Sequence, residues 1–314
     1  MKDLALICNS RRWRMPDIAH GHEFGGGCLE DADAPSEDMW LWAPERGLFV
    51  TVSGHGYAPG LLGQYLSSAP LAAAILGTLA GLLAPDDPDV GAIAPGEASE
   101  AVRACWSLGA ELSPVVGEPA DAIAHLQGHL LALMPRLAER VPTRGDFFGT
   151  WVAGMPCEVL IVQRRGRTLH LEAVGAYAVL HRRGRVVRQI LPIGTLAEHL
   201  RASGEDTTDT PEFYENILLS SMGLIRDDAH ELANHSKPVP VATATLELEP
   251  GDALGIYNMG VHRRLERAQL VQSLREPDLE TGFSAIAEAL AGSSAKCTRH
   301  PTAVIMQVLA ATSG

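Results

Sequence analysis

Twelve histidines among 314 residues set the first question, because imidazole binds transition metals and carries protons near neutral pH. His20 and His22 stand two apart, a spacing that on a strand puts both on one face. His55 sits in the glycine turn Ser53-Gly54-His55-Gly56, just after the apolar run Leu48 to Val52. His230-Glu231-Leu232-Ala233-Asn234-His235 is one residue too long for the H-E-x-x-H pattern of zinc proteases. On a helix an i, i+5 pair points to different faces, so that chemistry is excluded. Neither G-x-x-x-x-G-K-S/T nor G-x-G-x-x-G nor G-x-S-x-G occurs. The cysteines (Cys8, Cys28, Cys105, Cys157, Cys297) are odd in number and scattered, against both a disulfide framework and a structural zinc site. Cys28, Cys157 and Cys297 are read as buried small hydrophobes, and Gly25-Gly26-Gly27-Cys28 as a hinge-like loop.

These residues must be held by elements, and the patterning suggests which. Leu4 to Cys8 reads as a first strand, followed by a glycine-rich, acidic connection from Gly21 to Ser36. Asp38 to Trp42 and Leu48 to Val52 read as two strands joined by Pro44-Glu45-Arg46-Gly47. Leu61 to Leu83 reads as a helix, with Pro70 either a kink or the start of its main part. A short helix over Glu97 to Trp106 and a longer one over Ala120 to Val141 follow, the latter with Ile123, Leu126, Leu130, Leu133 and Leu137 at helical spacing. Glu158 to Gln163, Thr168 to Val174, Ala176 to His181 and Arg185 to Leu191 form a meander with short turns. Helices are expected over Thr195 to Ala202, Pro211 to Ser221, Gly260 to Arg275 and Leu279 to Ala291. Strands are expected over Ala242 to Glu247, Ala253 to Tyr257 and Thr302 to Leu309. Runs of strands interleaved with runs of helices indicate a layered α+β domain.

Composition narrows the partners. A formal charge of −13 argues against nucleic acid and anionic membranes. Arg11 to Arg14 and Arg182-Arg183-Gly184-Arg185 are local exceptions, the second read as a hairpin turn with solvated flanks. The longest apolar stretch, Pro70 to Pro85, is shorter than the roughly 20 residues of a membrane span. Arg11-Arg12-Trp13-Arg14 follows the first apolar run too early for a secretory signal, so a cytoplasmic location is expected.

Several segments, in order, resemble the PPM family, the metal-dependent serine/threonine protein phosphatases of the 2C type. Leu48 to Gly56 is similar to V-x-D-G-H-G, with Ser53 at its aspartate and Glu37-Asp38 at the N-E-D strand one hairpin earlier. Leu169 to Leu180 is similar to L-x-V-A-N-V-G-D-S-R-A-x-L. Leu200 to Gly204 with Asn216 to Gly223 resembles L-x-x-x-G and N-x-L-T-R-A-L-G. Leu248 to Val261 resembles L-x-P-G-D-x-L-L-L-x-S-D-G-L, and Arg299 to Val304 the closing D-N-x-T-x-V. The resemblance spans nearly the whole chain and implies one domain over residues 1–314, an αββα sandwich of two antiparallel sheets between helical layers.

The departures fall on the chemistry. Where the family has aspartates this chain has Ser53, Ala176, Met259 and Arg299; Asp38, Glu37 and the Gly54 carbonyl remain as remnants of its metal site. Two divalent cations close together repel unless anionic oxygens neutralise them, and these replacements remove that charge. No cofactor is therefore expected, and the leading reading is a pseudophosphatase that binds a protein partner or small-molecule ligand. The alternative is a repurposed enzyme with a rebuilt His/carboxylate site. In it His20, His22 and His300 would bind a transition metal, and Asp38 and His55 would be acid–base groups. A third reading keeps an active phosphatase, with Asp227-Asp228, Asp252 or Glu266 reaching Asp38.

Overall fold

The computed structural model describes residues 5–7, 13–14, 22–30, 38–43, 47–54, 69–83, 106–110, 122–140, 157–205, 207, 218–222, 240–276, 278–293 and 302–308. Two antiparallel sheets stack face to face. The smaller contains β4 (Met39–Ala43), β5 (Leu48–Gly54), β6 (Cys157–Arg165), β7 (Thr168–Val174) and β10 (Ala242–Glu247), in the order β10-β7-β6-β5-β4. The larger is built from β1 (Ala5–Ile7), β3 (His22–Glu30), β12 (Thr302–Val308), β11 (Ala253–Tyr257), β8 (Ala178–Arg183) and β9 (Val186–Leu191), in that order, with β2 (Trp13–Arg14) added on β3.

Each sheet has apolar residues on both faces. Phe49, Leu160, Val162, Leu171 and Leu246 meet Val179, Leu254, Ile256, Val304 and Met306 between the sheets. The other face of the smaller sheet, with Val50, Val52, Val159 and Ile161, is covered by α1 (Ala69–Leu83) and α3 (Ala122–Arg140). A helical turn, α2, over 106–110 contributes Leu108 to the same cluster. Covered on both sides, β5 is buried along its whole length and needs no polar alternation. The outer face of the larger sheet packs Leu180, Tyr257 and Ile305 against Leu270, Phe283, Ile286 and Leu290. These come from α6 (Arg267–Ser273) and α7 (Leu279–Gly292); α4 (Leu196–Ala202) follows β9, and α5 (Met259–His262) follows β11. The layers run helix, sheet, sheet, helix, and among the described residues no helix is long and apolar enough to cross a membrane.

All four strands of the expected meander are present, but they form two hairpins and not one meander: β6 pairs with β7 in the smaller sheet and β8 with β9 in the larger, the chain changing sheets at Gly175. Pro70 lies in the first turn of α1, where its missing N–H costs nothing. Three further expectations need correction. The glycine-rich connection contains β3, which pairs with β12 over seven residues; backbone pairing on two sides outweighs the weak strand propensity of Gly25, Gly26 and Gly27. Gly260 to Arg275 is two helices, because Glu266 starts a new one through a capping box with Gln269. The end of the proposed Pro211–Ser221 helix is a bridge, Leu218 opposite Thr195.

Candidate functional site

One row of side chains crosses the end of the smaller sheet and faces the other sheet. Met39 pairs with Val52, so Asp38 stands beside Ser53 one residue further on; Ser53 pairs with Glu158; Val159 pairs with Val174, which puts Gly175 beside Glu158. Asp38, Ser53 and Glu158 are all buried. Gly175 belongs here for a steric reason. Its φ is 107°, and a Cβ would lie 2.4 Å from Glu158 Cγ. The Glu158 carboxylate accepts a hydrogen bond from the Ala176 N–H at 2.6 Å.

Across the gap, the larger sheet presents Asn258 at the end of β11 and Thr302 at the start of β12. The Asn258 side-chain oxygen accepts from the N–H groups of Thr302, at 2.9 Å, and Val261, at 3.2 Å, the second bond capping α5. Its nitrogen donates to Asp38 Oδ2 at 2.9 Å and to Ser53 Oγ at 3.3 Å. Every donor and acceptor of the amide is engaged, and two N–H groups on the oxygen side fix its orientation. The Thr302 hydroxyl donates to the same Asp38 oxygen. One amide and one hydroxyl thus tie Asp38 to the opposite sheet.

Tyr177 closes the row from below. Its hydroxyl lies 3.3 Å from the main-chain oxygens of Thr51 and Glu158, which share its proton. Burial holds its pKa well above 10, the charges of Glu158 and Asp38 push the same way, and hydrogen bonds with Ser53 and Thr51 oppose them. Tyr177 therefore stays a neutral phenol. His262, in α5, places Nε2 2.8 Å from the Ala176 carbonyl oxygen.

The donor set does not fit a pair of divalent cations. Among the described residues the row holds two carboxylates, Asp38 and Glu158, on either side of neutral Ser53, fewer anionic oxygens than two divalent cations call for. Asp38 Oδ2 already receives two hydrogen bonds, Ser53 is neutral, and Met259 is buried in the wall. Among the described residues, no three His, Cys, Asp or Glu side chains are grouped to hold a metal.

Of the residues singled out from sequence, Asp38, Ser53, Gly54, Ala176 and Met259 lie at this end of the sandwich. Glu37, His20, His55, Arg299, His300 and Asp227-Asp228 lie outside the described residues, as does the His230–His235 segment. His22 does not join the row: its backbone pairs with Val308, six residues along β12 from Thr302, about 20 Å away. Asp252 is also elsewhere, bonded to Arg183 and His181 at the opposite end of β11, and exposed Glu266 caps α6. Neither reaches Asp38. Glu158, Asn258, Thr302 and Tyr177 were not anticipated. Glu158 alone left a signal, as a lone acid in the apolar strand Cys157 to Val162.

No protein-family model matches the sequence, and no curated protein matches it. Solved structures do match. PppA, a key regulatory component of T6SS in Pseudomonas aeruginosa, is 15% identical with a TM-score of 0.55, over 92% of this chain and 98% of that one. The serine/threonine phosphatase PstP of Mycobacterium tuberculosis is 18% identical with a TM-score of 0.55, over 92% of this chain and 99% of that one. A PstP catalytic domain is also known in complex with two manganese ions. Stp1, a serine/threonine phosphatase of Staphylococcus aureus, is 13% identical with a TM-score of 0.57, over 95% of this chain and 98% of that one. The fold of this chain is that of the PPM-type serine/threonine phosphatases.

Proposed function

We propose that this chain is a pseudophosphatase: a PPM-type sandwich that works as a binding or regulatory module and has no Mg²⁺- or Mn²⁺-dependent hydrolase chemistry. The supporting observation is the Asn258 amide. It donates to Asp38 and Ser53 at the end of the sandwich where the resemblance leads one to expect aspartates and metal ions. A cation entering there would displace those bonds and that of Thr302, and would meet a hydroxyl and a thioether in place of carboxylates. The partner is a protein or small molecule; the charge of −13 disfavours nucleic acid and anionic membrane. A reducing cytoplasmic setting suits the scattered cysteines.

The test is total metal content of untagged protein purified without added metal, then Mn²⁺ titration calorimetry and a phosphopeptide hydrolysis assay. The expected result is no stoichiometric metal, no saturable Mn²⁺ heat and no hydrolysis above buffer. Stoichiometric zinc, iron or manganese would mean a rebuilt centre, and Mn²⁺-dependent turnover would mean an active phosphatase. Either overturns the reading.

A further inference from the structure

The chain is strongly acidic, yet from Arg164 to Arg188 it carries seven arginines and a single acid, Glu172. These arginines come from two turns, one in each sheet, and the fold brings the turns together. Arg167 donates to the Leu248 carbonyl oxygen at 3.0 Å, Arg182 to that of Gly251 at 3.0 Å, and Arg183 to that of Glu247. Arg183 also pairs with Asp252 and with Glu249. The connection between β10 and β11 is the hub on which both turns converge. Arg165, Arg167, Arg185 and Arg188 remain exposed around it, more guanidinium charge than the neighbouring Glu247 and Glu249 balance.

This basic end opens onto the side of the sandwich where both sheets stop. β9 ends the larger sheet and β10 the smaller, and the two strands pack beside each other. Among the described residues, β9 has no strand along its outer edge. Among the described residues, the three exposed large hydrophobics all belong to this side. Val186, 66% exposed, opens β9 at the arginine end. Leu219, 44% exposed, donates its N–H to the Gly194 oxygen just past β9, and Val241, 36% exposed, precedes β10. The side is therefore basic at one end and apolar at both, over about 20 Å, the length of a six-residue strand.

We infer that the outer edge of β9 is a docking site for an extended peptide segment of a protein partner, added as an antiparallel strand. Main-chain hydrogen bonds to the edge would supply affinity, and the side chains would set direction. Because β9 runs away from the arginines, an antiparallel segment has its apolar residues first and its acidic residues last. Nucleic acid fits this side less well: none of the exposed large hydrophobics among the described residues is aromatic, so there is no platform for base stacking. This edge would serve a binding module, yet it stands or falls separately from the metal titration, because strand addition needs no metal.

The experiment is fluorescence anisotropy of the full chain with a labelled peptide of about twelve residues. The peptide alternates Val and Thr and ends in four acidic residues; the controls are its reversed sequence, an oligo-glutamate, a DNA duplex and phosphatidylserine vesicles. Saturable binding that weakens with salt is expected. Arg185→Glu with Arg188→Glu should weaken it by about tenfold, and Val186→Asp severalfold. Both variants must melt as the parent does; if the double variant does not, Arg165→Glu takes its place. No binding, equal binding by the variants, or equal binding of the reversed peptide or oligo-glutamate overturns the docking edge. Preferential binding of duplex or vesicles overturns the choice of partner.

Discussion

Asn258 shows how one side chain can hold two buried oxygens of the opposite sheet. A cation gathers oxygens by charge, whereas this amide does so with two N–H donors, and its oxygen is anchored by two backbone N–H groups. Asn258→Asp isolates the donor half, since aspartate is as good a helix cap and nearly the same shape. It replaces two donors by an oxygen facing Asp38, and the expected cost is about 2–4 kcal/mol at neutral pH. In urea unfolding monitored by circular dichroism, that loss should shrink as pH falls from neutral toward about 4, because two buried carboxyl groups facing each other take up a proton more readily folded than unfolded. An unchanged midpoint would mean that the amide does not hold the sheets together. At this scale the sequence was legible in what it lacks. Ser53 and Met259 were visible departures, but nothing in the sequence near Asn258 says that its amide crosses to Asp38, because side-chain partners 220 residues apart are set by sheet packing alone.

At the scale of elements, the turn between β7 and β8 depends on Gly175 for both conformation and space. Gly175→Ala places a methyl group against Glu158 and strains a φ of 107°. We expect a loss of about 3 kcal/mol or more. Adding Glu158→Ala should return the steric part and leave about 1–3 kcal/mol of backbone strain, so a double-mutant cycle by chemical unfolding separates the two. Additive losses would show that the methyl group and Glu158 do not meet. The strands flanking this turn were readable, β7 from its alternation and β8 from a short apolar run before its basic turn. β3 was not, because glycines carry no pattern and its pairing comes from its neighbours. The break between α5 and α6 was equally hidden, since apolar spacing continues through it while the Glu266–Gln269 box ends it.

At the scale of the whole molecule, two acid-sensitive groups among the described residues, His181 and Asp252, meet at the basic end. His181 is buried, and desolvation lowers its pKa below 6.5 even though Asp252 Oδ2 lies 3.1 Å away; Arg183 and Arg188 push in the same direction as burial. For Asp252, burial raises the pKa, but bonds from Arg183, the Glu249 N–H and His181 outweigh it and leave it below 3.8. Both groups therefore bind fewer protons when folded, so both contribute stability that is present at high pH and lost as pH falls. The unfolding free energy should be level from about pH 7 to about pH 9, decline from about pH 6.5 downward, and decline again below about pH 4. His181→Gln should reduce the first decline and leave the share of His129, whose pKa burial also lowers. An identical pH profile in the variant would remove His181 from this account.

The helix α1 has a further consequence for how the molecule comes apart. Every residue from Leu71 to Ala80 is buried, with the smaller sheet on one side and α3 on another. A helix with a wet face can fray into water a turn at a time, but this one has no such face to lead the way. Its departure must wait for a neighbouring layer to lift, and once it goes it leaves Val50, Val52, Val159 and Ile161 bare. The outer layer and the sheet beneath it therefore open as one cooperative unit.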